Sequence, residues 1–313
     1  MKMDTWRIAC VGAGLIGQGW TTLFSSKGYQ VILQDVSKPA LEDSLRAINK
    51  NLMFLEAKTI LKPGDAAATI KRIKTNTDIS ESADSADYVQ ESVFDDLQLK
   101  SRVFKEIDMA VPDHAIIASS SSGLVMTEIQ KATIRPERCV LVHPLLPVYL
   151  IPVVEIVGGE QTSSKTVKSS AELMRRLGKI PILLQKEVPG YIVNRLQAAL
   201  LREAIDLVHK GVASAEDVDN AFCNGVGLRD PFIGPLLRAH LAGNGIERFL
   251  ENYKQSYENR WRSMDTWESI PPLAVDAVIK GVRNMEMVRE KPLDELKRWR
   301  DDMLVNLLKL IMG

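Results

Sequence analysis

The chain has 313 residues, enough for two domains or for one large α/β domain. Hydrophobic residues make up 45% of it and charged residues 26%, which excludes a disordered or collagen-like protein. Forty basic residues balance forty acidic ones, so there is no basic excess to hold a phosphate backbone or an anionic membrane. We therefore expect neither a nucleic-acid partner nor a membrane partner.

The cysteines indicate a reducing compartment. Cys10, Cys139 and Cys223 are odd in number and far apart, and no CxxC pair occurs, so we expect neither a disulfide framework nor a metal site. The segment before Arg7 lacks the apolar core of a signal peptide. The most apolar stretch, residues 139–157, contains three prolines and two ionisable residues, which argues against a membrane helix. These features predict a cytoplasmic protein.

Short apolar runs alternate with helical patterns through the first 186 residues. The runs that read as strands are Arg7–Val11, Val31–Gln34, Tyr88–Gln90, Ala115–Ala118, Val140–Val142, Val153–Val157 and Ile180–Leu184. The helix after the first run is predicted over Leu15–Lys27. Strands that alternate with helices predict βαβ units and a mainly parallel sheet.

The pattern changes after Lys186, and from Gly190 onward every periodic segment is helical. The segments are Tyr191–Lys210, Ala213–Ala221, Ile233–Ser256, Pro272–Met287 and Leu293–Ile311. Tyr191–Lys210 is apolar almost all round, which predicts a buried helix. The sequence therefore predicts an α/β domain over residues 1–186 and an all-α domain over residues 187–313.

A G-x-G-x-x-G motif, Gly12-Ala13-Gly14-Leu15-Ile16-Gly17, lies between the first strand and the first helix. In this context Gly12 permits the tight turn, Gly14 the approach of a pyrophosphate, and Gly17 the packing of the helix on the strand. The helix N-terminus offers N–H groups to the phosphates. Asp35 ends the second strand 18 residues after Gly17, where a carboxylate binds ribose hydroxyls and repels a 2′-phosphate. The motif predicts NAD.

Three candidate catalytic features follow predicted strands or lie within them. The run Ser119–Ser122 comes directly after a strand, where loops line the ligand crevice, although a flexible polar turn would look the same. His143 follows the next strand, and an imidazole exchanges protons near neutral pH. Glu155 interrupts an apolar strand, and the proline-rich connection can return it to His143 as a carboxylate–imidazole pair. Structural alternatives are a core histidine and an edge strand with Glu155 in water.

Two further candidates lie in the helical half. Asn194 shares a helical face with apolar residues, so its amide is either a donor to substrate or nicotinamide, or a satisfied core amide. Arg229 lies in a loop between predicted helices, where its guanidinium suits a carboxylate ligand. The structural alternative for Arg229 is a surface pair with Asp230.

Together these segments and Pro189–Arg195 resemble the 3-hydroxyacyl-CoA dehydrogenase family over nearly the whole chain. The resemblance implies a Rossmann-type NAD domain followed by an all-α domain that forms a homodimer. It implies that His143 is the general base with Glu155 as its partner, and that Ser122 and Asn194 bind the reacting oxygen or hold the base. It also implies cofactor contacts from Asp95, which stands where the family has Glu, and from Lys100.

Within the family, the segment Gly227–Pro235 and the tail Arg298–Asp301 are similar to the lambda-crystallin branch, which includes L-gulonate 3-dehydrogenase. That likeness implies that Arg229 binds a free substrate carboxylate, and hence an NAD-dependent dehydrogenase of a small 3-hydroxy acid. Residues 148–160 also resemble carnitine dehydrogenases, and a 3-hydroxyacyl-CoA such as 3-hydroxybutyryl-CoA is a further alternative. The family reads His-x-x-Asn-Pro where this chain has Leu146, so an NAD-binding structural protein without turnover, like a crystallin, is the alternative of another class.

Overall fold

The computed structural model describes residues 6–312, with the side chain of Met312 outside that description. Its internal contacts divide the chain into two compact units, Met1–Asn194 and Arg195–Gly313. The sequence places the change of pattern at Lys186–Glu187, eight residues before the point where the units divide. The domain boundary at residue 186 stays a prediction.

The first unit is built on one eight-stranded sheet with the order β3-β2-β1-β4-β5-β6-β7-β8. All neighbouring strands are parallel except β6 and β7, which run antiparallel. The strands are β1 Arg7–Val11, β2 Gln30–Gln34, β3 Ile73–Asn76, β4 Tyr88–Glu91, β5 Ile116–Ser119, β6 Cys139–Pro144, β7 Val153–Val157 and β8 Ile180–Leu183. The mainly parallel α/β sheet predicted from the alternating pattern is confirmed.

Helices cover both faces of this sheet, and an apolar cluster lies under each layer. The central strands are buried on both faces, which explains why they read as continuous apolar runs. The helices of this unit are α1 Leu15–Ser26, α2 Lys38–Ala57, α3 Asp65–Ile70, α4 Ile79–Ala83, α5 Leu97–Ala110, α6 Met126–Gln130 and α7 Ser164–Arg176, with a 3₁₀ turn at Pro136–Arg138. The parallel strands end at one edge, where the candidate residues lie.

Strand β3 has no counterpart among the sequence predictions. It has four residues, and Lys74 and Thr75 are exposed, because it forms the outer edge of the sheet beyond β2. A short edge strand carries little apolar signal, so periodicity alone does not reveal it.

All regular elements in the described part of the second unit are helical. They are α8 Val193–His209, which begins two residues before the unit, α9 Ala215–Ala221, a π-helical turn at Phe222–Val226, α10 Pro235–Gly243, α11 Ile246–Ser263, α12 Pro272–Asn284, α13 Glu286–Glu290 and α14 Leu293–Met312. The all-α second half is confirmed. None of the described helices combines the length and the apolarity needed to cross a membrane.

Two helix predictions in this half are wrong in detail. The predicted helix Ile233–Ser256 is divided by Asn244 and Gly245, which both have positive φ and turn the chain between α10 and α11. The predicted buried helix Tyr191–Lys210 begins only at Val193, and Ile205 and Asp206 alone are buried along it. Its apolar face is largely exposed in a single chain. An apolar composition indicates that a surface favours burial, but it does not show which other surface covers it.

Candidate active site

The glycine motif forms the turn between β1 and α1. Gly12 has φ +97°, and a Cβ there would lie 2.8 Å from the backbone carbonyl of Ser92. A Cβ on Gly17 would lie 1.8 Å from the carbonyl oxygen of Gly12, whereas a Cβ on Gly14 would meet no atom within 4 Å. The fold therefore requires glycine at positions 12 and 17, and position 14 leaves space for a ligand.

A cleft of about 420 Å³ opens over this turn, and five of the predicted cofactor contacts line it: Gly12, Gly14, Leu15, Ile16 and Asp35. Helix α1 begins without a side-chain cap, so its first N–H groups are available to an anion. Asp35 accepts hydrogen bonds from the amides of Ala13 at 2.9 Å and Ser37 at 3.0 Å, one on each carboxylate oxygen. Each oxygen keeps a second acceptor site for a ribose hydroxyl. These residues fit NAD.

The cleft also contains two apolar side chains that the sequence analysis did not single out. Phe94 is 84% exposed and Val36 is 82% exposed, and both line the cavity. Large apolar side chains at the rim of a ligand cleft offer faces to a flat ring such as adenine. Phe94 could have been found from the sequence, because an aromatic residue stands there three positions after a fully buried strand.

His143 and Glu155 meet across the antiparallel pair β6–β7, where they are register partners. The imidazole Nδ1 lies 2.9 Å from Oε2 of Glu155, and both side chains are buried. The carboxylate selects the tautomer with the proton on Nδ1, which leaves Nε2 as the acceptor. No described residue bonds Nε2. The predicted return of Glu155 to His143 is therefore what the structure contains, and the alternative of Glu155 in water is wrong.

Glu155 is held from its other oxygen as well. The amides of Ile192 and Val193 donate to Oε1 at 2.8 and 3.0 Å. Burial raises the pKa of the Glu155 carboxyl, but the hydrogen bonds from His143, Val193 and Ile192 outweigh it and hold the pKa below its usual value. Glu155 is therefore ionised at neutral pH and supports a positive charge on the imidazole.

We expect this carboxylate to make the fold sensitive to acid. Its folded pKa is lowered from 4.5, so its contribution to stability is present above about pH 4.5 and is lost as the pH falls through the folded pKa. Urea unfolding between pH 3 and pH 7 checks this, with Glu155→Gln beside the wild type. The variant should be less stable at pH 7, and the difference should shrink towards pH 3. An equal difference at both pH values would contradict the expectation.

The serine run is bound by Asp95, which lies beside a buried ion pair of Lys100 with Glu91. Oδ2 of Asp95 accepts from the amide and the hydroxyl of Ser122, at 2.9 and 3.0 Å. Nζ of Lys100 is buried and binds Oε1 of Glu91 at 2.7 Å, with Oδ1 of Asp95 at 3.4 Å. Burial raises the pKa of Asp95, but hydrogen bonds from Ser121 and Ser122 and the charge of Lys100 bring it below its usual value.

A second set of contacts bears on the predicted roles of Asp95 and Lys100. Oε2 of Glu91 also accepts from the hydroxyl of Ser119 at 2.6 Å, so Glu91 and Asp95 bind the two ends of the serine run. Lys100 is enclosed by Glu91, a residue that the sequence analysis missed, so it acts on the site through its neighbours. A direct contact of Asp95 and Lys100 with NAD stays a prediction.

Leu146 lies in the connection between β6 and β7, three residues after the candidate base in the chain. Leu146 is 47% exposed and precedes a cis peptide bond to Pro147. Nζ of Lys179 is buried and donates to the carbonyls of Val148 and Ile151. Burial and the charge of Lys27 lower the pKa of Lys179 to about 7. Leu146 therefore places an apolar side chain at the position where the family pattern has an asparagine, whose amide would offer hydrogen bonds.

The side chains of the remaining two predicted residues have no hydrogen-bond partner among the described residues. Asn194 is half-buried in the first turn of α8. Arg229 follows the π-helical turn and lines a cavity of the second unit, while Asp230 forms an ion pair with Arg238 at 2.7 Å. The surface pair of Arg229 with Asp230 is therefore wrong, and the guanidinium is available to a ligand.

Two family models together match most of the chain. The NAD binding domain of 3-hydroxyacyl-CoA dehydrogenase matches residues 7–188, and the C-terminal domain of 3-hydroxyacyl-CoA dehydrogenase matches residues 190–271. The chain belongs to the 3-hydroxyacyl-CoA dehydrogenase family. The family resemblance and NAD as the cofactor are confirmed, and the protein is an NAD-dependent oxidoreductase of a family that acts on CH–OH groups.

Relatives within the 3-hydroxyacyl-CoA dehydrogenase family carry different names. The lambda-crystallin homolog of Homo sapiens is 34% identical over 307 residues, covering 97% of this chain and 95% of its own. An L-carnitine dehydrogenase of Pseudomonas putida is 37% identical over 305 residues, covering 97% of this chain and 93% of its own. Both similarities span nearly the full length of the chain, so they do not show which substrate this protein uses.

Solved structures agree with the fold and also leave the choice of substrate open. An NAD⁺-dependent 5-formyl-3-hydroxy-2-methylpyridine 4-carboxylic acid 5-dehydrogenase aligns with TM-score 0.85 and 30% identity, covering 99% of both chains. An (S)-3-hydroxybutyryl-CoA dehydrogenase from Ralstonia eutropha aligns with TM-score 0.66 and 30% identity, covering 81% of this chain and 87% of that one. The relatives of this family member thus include a pyridine carboxylic acid dehydrogenase and a 3-hydroxybutyryl-CoA dehydrogenase.

Proposed function

We propose that this protein oxidises the secondary alcohol of a small 3-hydroxy acid with NAD, and that an L-gulonate-like sugar acid is its substrate. The observation that carries the proposal is the buried pair of His143 and Glu155, 2.9 Å apart, with Nε2 left as an acceptor. The unpaired Arg229 and the likeness to lambda-crystallin support a substrate with a free carboxylate. Family membership by itself fits several hydroxy substrates.

The reaction needs a base, a hydride acceptor and a site for the changing oxygen. Nε2 of His143 takes the hydroxyl proton, and Glu155 stabilises the imidazolium that results. Bound NAD supplies the hydride acceptor. Ser122 donates to Asp95 in this structure, and we propose that its hydroxyl turns to donate to the substrate oxygen when substrate binds. The amide of Asn194 is the donor we propose for the oxygen as it becomes a carbonyl.

Arg229 is the residue through which we expect the acid to be recognised. Replacing it with alanine removes a charge-assisted hydrogen bond worth about 1.5–3 kcal/mol, so kcat/KM for the free acid should fall on the order of 10- to 100-fold. The measurement is NADH formation at mildly alkaline pH with L-gulonate, L-carnitine, 3-hydroxybutyrate and the CoA thioester of 3-hydroxybutyrate.

Arg248→Ala is the matched control, because Arg248 is an exposed arginine of α11 outside the cavity that Arg229 lines. It should behave like the wild type. If only the thioester were turned over, and Arg229→Ala turned it over as fast as the wild type, the assignment would be overturned in favour of an acyl-CoA substrate. NAD binding without turnover of any compound on a broad panel would favour an NAD-binding structural protein instead.

Carnitine is the second candidate, and the cavity around Arg229 favours it. The cavity has a volume of about 920 Å³, and Phe249, Tyr257, Trp261 and Glu258 line it together with Arg229. Aromatic faces and a carboxylate bind quaternary ammonium groups, and a guanidinium binds a carboxylate, so the lining suits a zwitterion. A higher kcat/KM for L-carnitine than for L-gulonate would select this candidate.

We also propose a homodimer formed through the helical unit, in the cytoplasm. The second unit exposes many large apolar side chains outside the cavity around Arg229, among them Phe232, Leu273, Leu293 and Leu310, which is typical of a surface that associates. Light scattering should give twice the chain mass of 34.9 kDa, and a mass of one chain would contradict the dimer. The free thiols of Cys10, Cys139 and Cys223 support a reducing compartment.

A further inference from the structure

The turn before α8 holds the candidate base from two directions. Gly190 has φ +78° and Tyr191 has φ +48°, so two consecutive residues are left-handed. Tyrosine is disfavoured in this conformation, because its Cβ crowds the backbone. The turn directs the amides of Ile192 and Val193 at Oε1 of Glu155. A strained non-glycine residue beside a site indicates that the surrounding contacts fix it.

The side chain of Tyr191 contacts the base and the serine loop at the same time. The ring is fully buried, and its centroid lies 5.1 Å from that of the His143 imidazole at an interplanar angle of 47°. The hydroxyl donates to the carbonyl of Leu124 at 2.7 Å. The amide of Leu124 in turn donates to the hydroxyl of Ser121 at 2.9 Å, so the loop that carries Ser122 is tied at this point.

We propose that Tyr191 is a positioning residue that holds the His143 ring and the loop 121–124 in one arrangement. The inference rests on the proposed function in taking His143 as the base and Ser122 as an oxygen ligand. A phenylalanine would fill the same volume beside the imidazole, so the hydroxyl is the part of the side chain whose bond ties the loop. Burial raises the pKa of the Tyr191 hydroxyl well above its usual value, so it remains a donor at working pH.

The test compares Tyr191→Phe with Tyr88→Phe. Tyr88 is an equally buried tyrosine, and its hydroxyl bonds the side chain of Gln90 at 2.9 Å and contacts neither His143 nor the loop 121–124. Both variants lose one buried hydrogen bond and should lose similar stability in urea unfolding. Hydrogen exchange of the peptide that covers residues 121–124 is followed by mass spectrometry, and kcat, KM and the NAD dissociation constant are measured in parallel.

In Tyr191→Phe we expect exchange of residues 121–124 to rise roughly tenfold and kcat to fall roughly tenfold, with the NAD dissociation constant unchanged. Tyr88→Phe should change neither exchange in this loop nor kcat. Tyr191→Leu, which also removes the ring from the imidazole, should lower kcat further.

Equal exchange in the wild type and Tyr191→Phe would overturn the proposal, and so would an unchanged kcat. If the wild type turns over no substrate, the proposed function fails, whereas the exchange experiment still decides whether Tyr191 orders the loop.

Discussion

We expect the His143→Gln variant to lose turnover on the order of a thousandfold in kcat, since a general base contributes roughly 10²–10⁴ to a reaction rate. Glutamine keeps a polar side chain of similar reach but has no nitrogen that accepts a proton at working pH. The dissociation constant for NAD should remain that of the wild type, because the cleft over the glycine turn lies on other residues. Steady-state NADH formation and calorimetric NAD titration measure the two quantities.

His114→Gln is the matched control for this variant. His114 also pairs with a buried carboxylate, through Nε2 at 2.8 Å from Oδ1 of Asp87, but it follows α5 and is largely exposed. Its replacement should leave kcat within about twofold of the wild type. If His143→Gln retained a tenth of the wild-type kcat, His143 would not be the base.

The second large effect is expected from Gly17→Ala. The added Cβ would lie 1.8 Å from the carbonyl oxygen of Gly12, and the contact is with backbone that no rotamer can move. We expect a loss of stability of about 3 kcal/mol or more, from overpacking at a site that cannot relax. NAD affinity should fall on the order of 100-fold, about 2.7 kcal/mol, because the turn that receives the pyrophosphate is displaced. Urea unfolding and calorimetry provide the two values.

Gly14→Ala separates the two consequences, because position 14 faces open space and its Cβ would touch no protein atom within 4 Å. This variant should fold with wild-type stability and still bind NAD more weakly, since its methyl group occupies space intended for the cofactor. Wild-type stability of Gly17→Ala would contradict the packing argument.

The features that were predictable from the sequence are those encoded by local pattern. Continuous apolar runs mark the buried strands, because a parallel strand is covered on both faces. The glycine spacing and Asp35 identify the cofactor, because the turn, the helix N-terminus and the second strand follow one another within 24 residues from Gly12 to Asp35. Glu155 in an apolar strand indicates a buried partner, since an unpaired carboxylate is costly there.

Other features depend on residues that are distant in the chain, and the sequence did not reveal them. Glu91 and Lys100 form the ion pair beneath the serine run, but neither position shows a periodicity or a motif of its own. Lys179 binds two carbonyls in the connection between β6 and β7, and it lies 28 to 31 residues further along the chain than those carbonyls. The division of α10 from α11 depends on two residues with positive φ inside a helical pattern. Such choices are decided by tertiary packing, which overrides local propensity.

The sequence by itself therefore determined the class of fold and the cofactor, and it indicated His143 and Glu155 as a candidate pair. It did so because each of these rests on residue types at fixed local spacing. Only the tertiary structure decided that Glu155 is held by two backbone amides, that Asp95 orients Ser122, and that Arg229 is left without Asp230. Hydrogen bonds and ion pairs are set by distances of about 3 Å between atoms that the chain brings together only when it folds.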